Sequence, residues 1–209
     1  NRAAHDGRDP KNPVTILSVG RLVGKKGYDD LLRALAGLPK DLHWRFVHIG
    51  GGNGDKYKLL ATELGIAGQC DWQGPRDQKE VIAACQSSDL FVLASRVEKD
   101  GDRDGLPNVL MEAQLCGLAV VSTAISAIPE LITDGLNGKL VAERDPNSLS
   151  AAMAELIADP ALRDQMGRKG NEIVRRDFSF YTGMKELAHR FGGDQLTSST
   201  TTAQQPAAE

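Results

Sequence analysis

Short apolar runs alternate with longer amphipathic stretches along most of this chain, and that alternation restricts its possible folds more than any other feature. Val14-Thr15-Ile16-Leu17-Ser18-Val19 reads as a buried strand, and Tyr28 to Leu38 follows with Leu31, Leu32 and Leu35 at helical spacing. His43 to Ile49 reads as a second strand and Lys56 to Leu64 as a second helix. Cys70 to Gln73 is a weaker strand, with a helix around Lys79 to Ser87. Leu90 to Ala94 is a fourth strand, then a loop, then a helix near Asn108 to Leu115. Ala119 to Thr123 and the short Gly138 to Val141 complete the strands, and two or three helices follow between Pro146 and Phe191. Strands alternating with helices make βαβ units with right-handed crossovers, hence a parallel sheet. Near-continuous apolar strands need helices on both faces. The expected fold class is α/β, a doubly wound parallel sheet. Ligands bind such sheets at the carboxyl ends of the strands, so the loops after Val19, Ile49, Ala94 and Thr123 line the expected site.

Composition narrows the function classes. The 209 residues carry 25 basic and 28 acidic side chains, a net charge of −3, which argues against a generic nucleic-acid surface while leaving room for a small cationic pocket. No apolar run approaches the ~18 residues of a transmembrane helix. Cys70, Cys85 and Cys116 form no CxxC pair, so a zinc site is not expected and reduced thiols of a cytoplasmic protein are. The polar, turn-rich residues 1–12 read as a linker, 13–191 as the domain, and 192–209 as a disordered tail too poor in apolar groups to pack. No signal peptide is visible, and the start at Asn1 leads us to expect a piece excised from a longer polypeptide.

Two glycine clusters invite misreading. Gly50-Gly51-Gly52-Asn53-Gly54 lies between a strand and a helix, but Asp55 stands where a dinucleotide fingerprint needs a small residue. Gly20 to Lys26 has three residues between its glycines where a P-loop has four, and Lys26 where Ser or Thr should hold magnesium. Neither a dehydrogenase nor a P-loop NTPase is supported. Arg21 and Lys26 are more informative, since an arginine fork and a lysine point charge at a strand's carboxyl end suit a diphosphate. By themselves they read equally well as solvated surface charges. Further on, a charged loop from Glu98 to Asp104 runs through Gly105, Leu106 and Pro107 into a helix. Pro107 fits a first helical turn, and the free amides of Gly105, Leu106 and Asn108 at a helix start form an anion site. Glu112, on the same helix, can accept from vicinal hydroxyls or stand as an exposed charge. Asp104, eight residues earlier, can contact a ligand or cap the helix.

Taken together, GRLVGKKG, DGLPNVLMEAQLCGLAVVST and IPELITDGLNGKLV, in this order and spacing, resemble the donor-binding half of the GT4 glycosyltransferases, retaining enzymes of the GT-B fold. The resemblance spans about residues 13 to 178. It implies a Rossmann-like domain, the carboxyl-terminal one of a GT-B pair, that binds a nucleoside-diphosphate sugar such as a UDP- or GDP-hexose. It also implies that Arg21 and Lys26 hold the diphosphate with no metal or other cofactor, and that Asp104 and Glu112 form the family's E-x7-E pair. The first carboxylate of that pair contacts the transferred sugar and the second the ribose. The catalytic residues so implied are Asp104, Arg21 and Lys26; the donor-binding ones are Glu112, Gly105, Leu106, Asn108, Gly51 and Gly52. Two departures stand out. Asp104 replaces the usual glutamate and reaches about 1.5 Å less far, and Ser126-Ala127 stand where the family often has two glycines before Ile128-Pro129-Glu130.

The same resemblance implies a missing amino-terminal domain that carries the acceptor site. The chain alone is then expected to bind donor without transferring sugar, with any peripheral membrane contact made through that missing domain. Leu187 and Phe191, on a final helix that in the family returns to the other domain, are expected to be exposed. A setting in polysaccharide or glycoconjugate synthesis follows by analogy. A catalytically silent nucleotide-sugar module remains the alternative, because of Asp104; a nonhydrolysing sugar-nucleotide epimerase fits the motif order less well. His5, His43, His48 and His189 read as packing or surface residues, and Trp44 and Trp72 as anchors of the sheet.

Overall fold

A computed structural model describes residues 5–178. In chain order the elements are β1 (Val14–Val19), α1 (Tyr28–Ala36), β2 (Trp44–Ile49), α2 (Asp55–Glu63), β3 (Cys70–Trp72), α3 (Gln78–Ser87), β4 (Leu90–Leu93), α4 (Asn108–Leu115), β5 (Ala119–Thr123), α5 (Ile128–Leu131), β6 (Lys139–Val141), α6 (Pro146–Ala158) and α7 (Pro160–Asp177). The six strands form one parallel sheet in the order β3-β2-β1-β4-β5-β6. The fold is therefore the expected α/β, Rossmann-like doubly wound sheet.

Strand alternation explains the two cores. Val14 and Ile16 of β1, Leu90 and Val92 of β4 and Ala119 and Val121 of β5 pack with Leu31 and Leu35 of α1 and Met153 and Leu156 of α6. The intervening residues, Leu17, Val19, Phe91, Leu93 and Val120, join Val81 of α3, Leu110 and Ala113 of α4 and Val174 of α7. Burial on both faces is why the strands read as unbroken apolar runs. Caps mark several helix starts. Asp77 and Glu80 make a reciprocal capping box on α3, while Asp145 and Asp159 accept first-turn amides of α6 and α7, each with proline at the start.

Some boundaries differ from expectation. The helix expected to reach Leu38 stops at Ala36 because the Gly37 amide closes it on Arg33 and Ala34, although Leu38 stays buried. β2 starts at Trp44, one residue late, because the His43 amide is turned to Gly7. The stretch expected as a linker over 1–12 is docked in its described part. His5 pairs with Asp89 at 3.2 Å, and the buried Arg163 donates to the His5 carbonyl at 2.7 Å. The expected end of the last helix, with Leu187, His189 and Phe191, and the expected tail over 192–209 lie outside the described residues. Among those described, no helix is long and apolar enough to cross a membrane, and no three His, Cys, Asp or Glu side chains group as metal ligands.

The topology fixes where a ligand can sit. From β1 the chain winds outward through β2 and β3, then returns to lay β4 on the other side of β1. The loops after β1 and β4 meet there at the carboxyl edge, the switch point beside which ligands bind in such sheets.

Candidate functional site

The loop after β1 is built against its neighbours by close backbone approach. A Cβ added to Gly50 would lie 1.9 Å from the Gly20 carbonyl oxygen, and Gly50 has a φ of +154°. The Leu22 amide donates to the Gly51 carbonyl at 2.8 Å. Gly51 and Gly52 thus brace the first loop, a Cβ on Gly52 falling 3.1 Å from the Leu22 amide nitrogen. A 3-10 turn over Gly24–Lys26 follows, closed by Gly27 in the left-handed region. Lys26 folds back so that its aliphatic stem lies over Gly20, where an added Cβ would be 3.3 Å from Cε.

Beneath this loop sits His48, buried on β2. Its ring nitrogen Nε2 is 2.9 Å from the Gly20 carbonyl, and the ring packs edge-on to Tyr28 and tilted on Trp72. The Tyr28 hydroxyl also donates to that carbonyl at 3.3 Å. Burial pushes the His48 pKa down to about 4, only partly offset by the Gly20 contact, so at neutral pH the neutral ring donates its Nε2–H. In the unfolded chain the ring protonates near pH 6.5. Its contribution to stability is therefore full above that pH and is lost as pH falls from about 6.5 to about 4. The pKa difference corresponds to about 3 kcal/mol. Urea unfolding at pH 7 and pH 4.5 should show a loss in the unaltered chain that is smaller in His48→Gln by most of this amount. Equal losses in the two proteins would contradict the assignment.

The loop from β4 to α4 brings the acidic side of the site. The Lys26 Nζ lies 2.7 Å from an Asp104 carboxylate oxygen, with both side chains mostly buried, at 13% and 17% exposure. Lys25 pairs with Asp102 at 3.0 Å and reaches Asp104 at 3.7 Å. The Asp102 hydrogen bond is the main cause that raises the Lys25 pKa, while the charge of Arg21 opposes it. Arg21 thus stands close enough to act on Lys25, yet its exposed side chain makes no ion pair or hydrogen bond among the described residues. The structure brings Lys26 and Asp104 into contact and places Arg21 on the same rim.

The start of α4 differs from expectation in one respect. Pro107 is the cap, with φ −66° and ψ 121°, and the helix begins at Asn108. Proline has no side-chain acceptor, and the first turn holds no acidic residue. The amides of Asn108 and Val109 are consequently left to solvent or a ligand. Gly105 and Leu106 lead into this turn, and a Cβ on Gly105 would meet open space, so no protein atom demands glycine there. Glu112 is half-buried one turn further on, its carboxylate unpaired among the described residues. Near the end of β5, Ser126 holds a φ of +49°. That is the left-handed conformation glycine takes without cost, so a serine there is a strained choice.

Several contributors were not foreseen in the sequence. Lys25 is a second lysine in the charge cluster. Arg96 sits among carboxylates at the root of the β4 loop, and His48 and Tyr28 seat the Gly20 carbonyl. A cavity of about 550 Å³ lies between the lysine-bearing turn and the root of the β4 loop, bordered by Lys25, Arg96, Glu98, Asp102 and Arg144; none of the residues expected to hold the donor lines it.

A family model described as glycosyl transferases group 1 matches residues 3–173. The chain belongs to that family. Among its relatives are the putative colanic acid biosynthesis glycosyltransferase WcaL of Escherichia coli and the amylovoran biosynthesis glycosyltransferase AmsK of Erwinia amylovora. The first is 33% identical over 184 residues, covering 86% of this chain and 45% of that protein. The second is 37% identical over 179 residues, covering 84% and 44%. The chain spans about half the length of the curated relatives it matches. Among solved structures, the carboxyl-terminal domain of the group 1 glycosyltransferase LpcC from Francisella tularensis superposes with a TM-score of 0.71 at 27% identity, covering 81% of this chain and 89% of that one. Anabaena Alr3699/HepE, solved in complex with UDP, superposes with a TM-score of 0.78 at 21% identity, covering 87% and 49%. This group 1 chain therefore has the fold of the carboxyl-terminal half of GT-B glycosyltransferases.

Proposed function

We propose that the chain is the donor-binding half of a retaining, metal-independent glycosyltransferase of the GT4 kind, acting on a UDP- or GDP-hexose in polysaccharide or glycoconjugate synthesis. The observation that carries this reading is the 2.7 Å contact between Lys26 and Asp104, which joins the loop after β1 to the loop that enters α4. A carboxylate sits where an anion is wanted, and the loop that carries it leads into a helix start whose amides have no side-chain cap. When the glycosidic bond breaks, negative charge grows on the β-phosphate. Arg21, Lys26 and a helix start worth about half a charge supply roughly 2.5 positive charges to meet it. Once a diphosphate takes Lys26, the Asp104 carboxylate is released toward the hydroxyls of the transferred sugar, while Glu112 accepts from the ribose. In this reading the backbone of Gly105, Leu106, Gly51 and Gly52 borders the donor. The relatives' greater length fits an amino-terminal acceptor domain, without which the chain binds donor and transfers nothing.

A thermal-shift series with UDP, GDP, ADP and their sugar conjugates tests this directly. A ligand at 100 times its Kd stabilises the fold by about 2.7 kcal/mol, with or without EDTA. No shift from any of these ligands would refute donor binding. The shorter Asp104 favours one other reading, a catalytically silent module. Turnover by the full-length protein, with donor and acceptor supplied, rules that out; a large gain with Asp104→Glu marks a degraded site.

A further inference from the structure

Arg96 lies just past the carboxyl end of β4 with its guanidinium 13% exposed, and it binds three segments at once. Its Nη1 donates to Asp29 at 3.0 Å and to Asp30 at 2.9 Å, both in the first turn of α1, and its Nε donates to Glu98 at 3.1 Å. Its backbone amide donates to the Lys25 carbonyl at 2.8 Å, one residue before Lys26. On the next residue, the Val97 amide and carbonyl are held by Glu143 at 2.7 Å and Arg144 at 2.5 Å, so the root of the loop is fixed from the β6 side as well. A lysine could neutralise one of these carboxylates; only a fork presents separate nitrogens to α1 and to Glu98. Glu98 itself lies against the lysine-bearing turn, since a Cβ on Gly24 would come 2.6 Å from its Oε1.

The geometry points to Arg96 as a positioning residue for the donor diphosphate. It pins the turn that presents Lys26, and it keeps Asp29, Asp30 and Glu98 occupied so that they do not compete with phosphate for the two lysines. This rests on the reading of Lys26 given above. If Arg96 acts through Lys26, the two cannot contribute independently, whereas a residue that only stabilises the fold gives losses that multiply.

The test is a double-mutant cycle on the 209-residue chain, titrating UDP and GDP by calorimetry at a temperature where circular dichroism shows every variant folded. Arg96→Met should weaken binding about tenfold and Arg96→Lys about threefold, and Arg96→Met combined with Lys26→Met should bind no more weakly than Lys26→Met alone. Unchanged binding in Arg96→Met, or losses that multiply in the double variant, overturns the role of Arg96 and leaves Lys26 in place. Binding by Lys26→Met as tight as by the unaltered chain overturns the diphosphate reading and Arg96's role with it. Should Arg96→Met fail to fold, the cycle run with Arg96→Lys decides by the same criterion.

Discussion

Replacing Lys26 with methionine should weaken the binding of a nucleoside diphosphate by ten- to a hundredfold, the equivalent of roughly 1.5–3 kcal/mol for a hydrogen bond to a charged group. Methionine keeps the stem that lies over Gly20, so the loop after β1 retains its packing and only the ammonium is lost. In the unliganded protein this leaves Asp104 with Lys25, at 3.7 Å, as its remaining cation. Removing one partner of a mostly buried pair also costs stability, about 3–5 kcal/mol where the other charge is left alone; Lys25 stays beside Asp104 and holds the loss below that range. Urea unfolding of the variant measures that loss separately from its affinity. Arginine at the same position should not restore full affinity: a planar fork is bulkier than an ammonium and cannot follow the same path over Gly20. Calorimetric titration with UDP and GDP at two salt concentrations checks this, with a weaker salt dependence expected once one phosphate-facing charge is gone. Affinity within twofold of the unaltered chain would remove Lys26 from the site.

The fold was legible in the sequence because its signals are local. Buried strands such as Leu90–Leu93 are apolar throughout, and α3 and α6 carry acidic caps immediately before their first turns. The motif residues were legible for a related reason: Arg21 and Lys26 occupy one loop, and Asp104 and Glu112 one loop and its helix. What stayed hidden was set by contacts between distant segments. Arg96 meets Asp29 across 67 positions, and nothing in the polar run around it distinguishes that arginine from a solvated one. His48 occupies a strand position where a buried apolar residue would read the same, and its use as a donor to Gly20 exists only once β1 and β2 pair. The docking of His5 depends on Arg163, 158 positions later. The helix read near Asn108 to Leu115 has those bounds, and the fixed φ of Pro107 suits its first turn. The ψ of 121° at Pro107 makes it the cap instead, which leaves the following amides uncovered.

Gly27→Ala should destabilise the domain by about 3–5 kcal/mol, the range in which steric overlap and a strained backbone act together. Gly27 has a φ of +62°, where an alanine costs about 1 kcal/mol or more by itself. The added Cβ would then fall 1.9 Å from the Ala94 carbonyl oxygen and 3.0 Å from its carbon. Those are backbone atoms at the end of a central strand, so no side-chain rotation relieves the overlap. Gly27 also closes the 3-10 turn by donating to Gly24 at 3.0 Å, and its carbonyl accepts from Leu31 in the first turn of α1. Either β1's loop must lift or β4 must shift. Gly68→Ala is the control: Gly68 faces open space at an ordinary φ and should change stability by less than about 0.5 kcal/mol. Urea midpoints at constant m-value measure both, and a loss under about 1 kcal/mol for Gly27→Ala would show that the two loops yield more easily than their packing implies. Because Gly27 adjoins Lys26 and Ala94 lies two residues before Arg96, any variant that survives should also bind diphosphate more weakly. The close approach that seats α1 on the sheet is the same one that sets the lysine at the carboxyl edge.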